Sequence, residues 1–299
     1  MTQAVTPTDD AQRQEEAGAK AQALVEALPY IRSYRGRSVV VKVGGAALDD
    51  PGVSAGVVQD LALMALVGIR LIVVHGGGPQ VSQAMRDAGL TPAFVDGLRV
   101  TDDASMEVVR RVLVGSINND LTSRLCAAGL QAVGLSGMDA GLMKGRRAAG
   151  PGGEDLGRVG DTVEVKPTLL WSLVEGGYTP VLASVAAAAD DGGVLNVNAD
   201  AVAGAVAASV GAGKLVYLTN VEGLYRDFGD AGSLVSELAV AELASILPSL
   251  SAGMRPKAAS AVAAMRAGVA KVHILDGRTP HALLLEVFTD RGIGTQVTP

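Results

Sequence analysis

Val39-Val40-Val41-Lys42-Val43-Gly44-Gly45 is an apolar run with a lysine inside it and two glycines at its end. Such a run reads as a buried strand. The lysine is out of place there, because an unpaired ammonium is costly away from water. The two glycines let the backbone turn tightly and come close to a ligand. Further along, the pattern returns as Leu71-Ile72-Val73-Val74-His75-Gly76-Gly77-Gly78-Pro79. Either segment alone reads equally as a tight strand-to-helix turn with Lys42 at a strand end. Two such strands, each delivering a glycine turn and one carrying a lysine, point to phosphate chemistry.

Around these strands the chain alternates. A strand near 39–43 precedes a helix near 53–68, then a strand at 71–74 and a helix near 79–88. A helix covers about 102–128, and 131–135 reads as a strand. Residues 144–165 resemble a hairpin or excursion. A helix near 167–175 leads to a strand at 179–185. An alanine-rich helix follows at 199–210. Gly211-Ala212-Gly213 then breaks the chain, and the strand from Lys214 to Thr219 opens a second lobe. That lobe holds helices near 239–247 and 255–267 and a strand at 271–275. The alternation predicts an α/β fold with a mainly parallel sheet and helices on both faces. The expected division is an extension over 1–35, a first lobe over 36–212 and a second over 213–299.

Residues 1 to about 9 read as disordered. From Asp10 to Leu28 the composition is helical, with an apolar stripe of Ala17, Ala21, Leu24, Val25 and Leu28. Pro29 is expected to break or kink this helix. The complete fold begins only after it.

Composition narrows the function. The 299 residues are 48% hydrophobic but only 3% aromatic, so the core must be aliphatic, as suits strands buried on both faces. A net charge of −6 argues against nucleic acid as the main partner. The single cysteine, Cys126, excludes an internal disulfide and falls in a helical pattern that suggests core packing. No stretch nears the roughly 18 apolar residues that a membrane span needs. The start, MTQAVTPTDD, lacks the apolar core of a signal peptide, so a cytoplasmic protein is expected.

Familiar nucleotide fingerprints fail. Gly213-Lys214 is followed by Leu215, so there is no P-loop. Gly76-x-Gly78 meets Val81 rather than a third glycine, so the dinucleotide fingerprint is also absent. His75, alone before its turn, reads as structural.

Three polar segments remain. Arg99, in Asp96-Gly97-Leu98-Arg99, offers a fork for a carboxylate, although by itself it reads as a surface salt bridge. Asn196, Asn198 and Asp200 alternate before the alanine helix, more than an N-cap needs, and an extended segment would turn all three to one side. Lys257, in Gly253-Met254-Arg255-Pro256-Lys257, stands at a helix start where anions bind, or is an ordinary surface lysine.

Six segments in this order, VVVKVGG (39–45), VVHGGGPQ (73–80), VDGLRVT (95–101), NVNAD (196–200), LTNVEGLY (218–225) and GMRPK (253–257), resemble the amino acid kinase family. The resemblance runs from about residue 22 to the carboxyl terminus. It implies an open three-layer αβα sandwich that phosphorylates a carboxylate, carbamate or phosphate with ATP and Mg2+. The first lobe would hold the acceptor and the second the nucleotide. Lys42 and Lys257 would contact the transferring phosphoryl group, with Asp200 holding both. Gly44, Gly45, Gly77 and Gly78 would line the phosphoryl and substrate region. Arg99 would grip the acceptor's α-carboxylate with Asn196 beside it. Thr219, Asn220 and Gly253 would border the nucleotide. Asn220, Met138, Ser116, Asn119 and Ala252 depart from residues common in the family.

The chain's ends resemble an arginine-inhibited subgroup that phosphorylates the side-chain carboxylate of N-acetyl-L-glutamate in arginine biosynthesis. The segments are Glu26–Ile31 and the tail from His281 to Thr295. This implies a hexameric ring, a trimer of dimers, and an arginine site at Tyr30, Lys214, His281, Glu286 and Gly292. Without the resemblance, Glu286 reads as a surface carboxylate. The alternatives are a kinase for another acylated acidic amino acid, such as N-acetylaminoadipate, and a non-catalytic arginine-responsive scaffold. No residue decides whether a PII-type signalling protein binds.

Overall fold

The computed structural model describes residues 7–227, 230–251, 253–289 and 292–299. Its centre is a sheet of eight strands. In chain order they are β1 (Ser38–Val43), β2 (Arg70–His75), β3 (Ala132–Ser136), β4 (Thr179–Ala183), β5 (Lys214–Thr219), β6 (Glu237–Ala239), β7 (Val272–Asp276) and β8 (Thr295–Thr298). Their spatial order is β6-β8-β7-β5-β1-β2-β4-β3. All neighbouring pairs are parallel except β7 with β8. The expected mainly parallel α/β sheet is present. β1 lies between β2 and β5, so strand order reverses there and a crevice opens past the strands' carboxyl ends.

Six helices matter below: α1 (Pro7–Tyr34), α2 (Pro51–Leu66), α3 (Gly78–Asp87), α4 (Ala199–Ser209), α5 (Arg255–Arg266) and α6 (Ala282–Phe288). Side chains alternate across β1. Val40 packs on one face with Ile72, Tyr217 and the alanines of α4 and α5. Val39, Val41 and Val43 pack on the other with α2 and α6. The excursion after β3 is the predicted hairpin, Met143–Ala149 with Asp155–Val165, and it joins strands Val185–Ala188 and Val194–Val197 in a small closed barrel.

Some expectations need correction. Helix α1 runs through Pro29 without a break. Proline removes one ladder bond, but Ala27, Tyr30, Ile31 and Tyr34 pack on the core and hold the last turns in register. Within one chain the predicted stripe stays exposed, with Leu24, Val25 and Leu28 72%, 57% and 44% accessible. The disorder expected over 1 to about 9 falls mostly outside the described residues, and the chain is helical from Pro7. Ala252, Asp290 and Arg291 also lie outside them. Cys126 is exposed, because Leu121 and Leu125 occupy the buried face of its helix. The helix expected over 102–128 contains a π-helical stretch, Arg111–Asn118.

Candidate active site

Lys42 projects from the Val40 face of β1, near the strand's carboxyl end, toward α4 and α5. Asn198 caps α4, its side-chain oxygen accepting from the Asp200 amide at 2.8 Å. Asn198 therefore plays the ordinary capping role, and the segment is not extended through Asp200. Asp200, in the first turn of α4, meets Lys42 Nζ at 3.0 Å. Lys257, in the first turn of α5, donates to its other oxygen at 2.8 Å. All three are buried, so Lys257 is not a surface lysine.

Burial alone would raise the Asp200 pKa, but the two ammonium groups outweigh it and hold the carboxyl well below the usual range. Burial lowers Lys257, and Asp200 opposes that shift. Two cations sharing one anion leave a buried surplus of positive charge. Such a surplus needs a further anion to be tolerable.

Two residues that the sequence reading passed over fix the backbone of Asp200. Ser260 Oγ donates to its carbonyl at 2.6 Å. That uses the serine's only proton, so the Tyr217 hydroxyl, 2.7 Å away, donates to Ser260. Tyr217 lies opposite Lys42 in the β1–β5 register, and Ser260 stands one helical turn after Lys257. Both spacings were available in the sequence once the strand pairing was known.

The glycines act by close approach. A Cβ on Gly44 would sit 2.9 Å from the Leu218 carbonyl, and one on Gly77 would sit 2.2 Å from Ile117. At Gly78, the first residue of α3, a side chain would meet nothing within 4 Å, so that helix start faces open space. A cavity of about 230 Å³ lies there, lined by Lys42, Gly45, Gly77, Gly78, Asn196 and Asp200.

Arg99 also lines it, from a two-strand hairpin, Phe94–Val95 with Leu98–Arg99. It is buried and makes no salt bridge among the described residues, contrary to the surface-pair reading. Its guanidinium bonds the Gly78 carbonyl at 2.9 Å and Ser82 Oγ at 2.7 Å, and lies over the Phe94 ring. Burial lowers its pKa. A buried guanidinium whose partners are neutral suits a carboxylate from outside.

On the far side of Asp200 lies a second cavity, of about 470 Å³, lined by Thr219, Asn220, Tyr225, Gly253, Met254 and Lys257. Lys42 thus borders one cavity and Lys257 the other, with Asp200 between. His75 is buried and bonded to Asn118 and the Gly76 carbonyl. Burial pushes it down to about 4, so it is neutral and structural.

The residues assigned to arginine divide. Lys214 opens β5, 5.0 Å above the ring of Tyr34, whereas Tyr30 packs on the core. Glu286 is buried, not a surface carboxylate, and meets His273 Nδ1 at 2.5 Å. A Cβ on Gly292 would lie 2.5 Å from Glu286. Burial lowers Lys214 to about 8, and Glu286 works against that shift. Lys214, Glu286 and Gly292 therefore share one neighbourhood, with Tyr34 and His273 as members the sequence did not suggest. His281 instead pairs with Asp60 at 2.6 Å, at the rim of a cavity of about 340 Å³.

Among the described residues no group of three or more His, Cys, Asp or Glu could hold a metal ion, and no helix is long and apolar enough to cross a membrane.

An open α/β sheet with a lysine-lined crevice at its reversal point fits a phosphoryl-transfer fold, and the comparisons agree. Residues 37–276 match the model of the amino acid kinase family. The chain belongs to that family. It is 48% identical over 287 residues to the acetylglutamate kinase of Acidothermus cellulolyticus, covering 94% of this chain and 97% of that one. It is 50% identical over 285 residues to the acetylglutamate kinase of Symbiobacterium thermophilum, covering 93% and 97%. Among solved structures it resembles N-acetylglutamate synthase from Neisseria gonorrhoeae. The complex with coenzyme A and N-acetylglutamate gives a TM-score of 0.82 at 30% identity, over 93% of this chain. The complex with coenzyme A and L-arginine gives 0.77 at 29%. The chain spans 63% and 65% of those two synthase chains, just under two thirds.

Proposed function

We infer that this chain is an acetylglutamate kinase, transferring the γ-phosphoryl group of ATP to the side-chain carboxylate of N-acetyl-L-glutamate in arginine biosynthesis. The observation that carries the reading is Asp200, one buried carboxylate holding two lysines that each face a different cavity. The acceptor's side chain, with a pKa near 4.3, is already an ionised nucleophile at pH 7 and needs no general base. What remains is in-line positioning and charge stabilisation.

We assign the acceptor to the cavity of Arg99 and Asn196, in the lobe 36–212. Arg99 grips the α-carboxylate. ATP takes the cavity bordered by Thr219, Asn220 and Gly253, in the lobe 213–299. Lys42 and Lys257 meet at the phosphoryl group between them, beside the amides of Gly44, Gly45, Gly77 and Gly78. Mg2+ arrives with the nucleotide and adds charge there. A biosynthetic kinase of this kind works in the cytoplasm.

L-Arginine is assigned as inhibitor, bound near Lys214, Glu286 and Gly292, with Tyr30 and His281 at its margins. The exposed stripe of Leu24, Val25 and Leu28 supports assembly of copies through α1, into a hexamer of three dimers. Deleting residues 1–28 should then give a smaller active oligomer.

The deciding experiment follows ADP release with N-acetylglutamate, glutamate or N-acetylaminoadipate, each with and without arginine. N-acetylglutamate should be turned over best, and arginine should suppress it. Preference for N-acetylaminoadipate, or no turnover of any acceptor, would overturn the reading.

A further inference from the structure

Between Arg99 and Asn196 stands a residue that touches both. Thr101 is fully buried. Its hydroxyl donates to the carbonyl of Arg99 at 2.7 Å and accepts from Asn196 Nδ2 at 3.2 Å. The backbone of Thr101 is also fixed. Its amide donates to the Leu156 carbonyl at 2.9 Å, and its carbonyl accepts from the Arg158 amide at 2.6 Å. A Cβ on Gly157 would lie 2.3 Å from that carbonyl, so this approach requires the glycine, whose φ is +71°.

The hydroxyl has one proton. A carbonyl can only accept, so the proton is committed to Arg99. Only a lone pair then faces Asn196, and only the amide nitrogen can meet it. The orientation of the Asn196 amide is therefore decided by Thr101, with Oδ1 and one N–H left over for other partners. Asn196 and Arg99 come from elements far apart in sequence, and one hydroxyl sets the position of the first and the backbone of the second.

We propose that Thr101 is a positioning residue for the acceptor, orienting the Asn196 amide and anchoring the Arg99 hairpin through one shared hydroxyl. It rests on the assignment of this cavity to N-acetylglutamate. The ligand it serves is an α-carboxylate with a hydrogen-bonding group on the same carbon, which an amide showing both an acceptor and a donor can match. Thr101 itself lines neither cavity and acts only through its two neighbours.

The test starts with the wild-type enzyme, whose turnover of N-acetylglutamate checks the assignment separately. Thr101→Val keeps the shape and removes the hydroxyl. It should raise KM for N-acetylglutamate roughly tenfold, while KM for ATP stays within about twofold. Thr101→Ser should restore the wild-type value. If the valine protein does not fold, Thr101→Ala against Thr101→Ser isolates the same hydroxyl. In an Asn196→Ala background, Thr101→Val should add less than about threefold, because coupled residues are not additive. An unchanged acceptor KM in the valine or alanine protein would overturn the proposal. So would equal rises in both KM values, or a serine variant as impaired as the alanine one.

Discussion

The protein buries lysines in two places, and the two places handle the charge differently. Lys42 and Lys257 share Asp200 at the carboxyl ends of the strands. Lys214 sits at the opposite end of the sheet, at the start of β5, with Glu286 acting on it and His273 beside that acid. Burial lowers His273, so it adds little positive charge. The first cluster therefore has a buried surplus cation, whereas in the second the buried Lys214 faces the buried Glu286 and a further lysine, the exposed Lys271, acts from the surface. A surplus calls for an anion such as a phosphoryl group. A site with a buried carboxylate beside a buried ammonium suits a ligand that itself carries both signs. The clusters are linked by β5, whose residues run from Lys214, through Tyr217 at the Asp200 support, to Thr219 at the second cavity.

The sharpest break in this comparison is removal of the surplus. Lys257→Ala should lower kcat by about 10²- to 10³-fold, because the lysine faces charge that moves during transfer. Its acceptor KM should change little. A variant with wild-type kcat and only a raised KM for ATP would remove Lys257 from the chemistry.

On the proposed assignment of Arg99 to the acceptor's carboxylate, Arg99→Ala leaves the surplus intact and removes that grip. Loss of a charge-assisted contact of about 1.5–3 kcal/mol should raise acceptor KM by roughly 10- to 150-fold. Steady-state kinetics with each substrate varied in turn checks this. A raised KM for ATP with an unmoved acceptor KM would reverse the two cavities.

Glu286→Gln removes the acid of the second cluster and leaves the first untouched. It should weaken arginine inhibition by roughly 10-fold or more, with kcat kept within about twofold. Inhibition curves at saturating substrates measure it, and undiminished arginine sensitivity would detach Glu286 from regulation.

The smallest effect is on stability. Burial pushes Lys214 down to about 8 in the folded chain, against 10.5 when free. Between those values the unfolded chain holds a proton that the folded chain has released, so stability contributed by this residue rises with pH across that window. Thermal melts of wild type and Lys214→Met should therefore diverge with pH from about 8 to 10, by a few degrees at most. Parallel curves would mean that Lys214 is not strained by burial.

The first cluster was far more legible in the sequence than the second. Lys42 betrayed itself by standing in an apolar strand, and the glycine turns by their repetition. Strand Lys214–Thr219 was read with its observed bounds because Gly213 precedes the apolar run and Asn220 follows it. Asp200, Asn196 and Lys257 drew notice as more polarity than their elements need. The support from Tyr217 and Ser260 was hidden, since it depends on which strand lies beside β1. The second cluster is assembled from α1, β5, β7 and α6, so no local pattern marks it. Tyr34 stands over Lys214 because the helix continues past Pro29, which local propensity argued against. Nothing in the sequence singles out Thr101 within VDGLRVT; its bond to Asn196 joins residues 95 apart and exists only in the folded chain.

Among the described residues, helix α1 packs on the core through its last turns, from Ala27 to Tyr34, near Lys214. Its portion before Ala27 covers residues 7–26, about 30 Å at 1.5 Å per residue. It is a lever with its fulcrum beside the second cluster. A tilt of about 10° at that fulcrum carries the far end roughly 5 Å. A displacement too small to notice at Lys214 is thus magnified at the tip, where a neighbouring molecule would feel it.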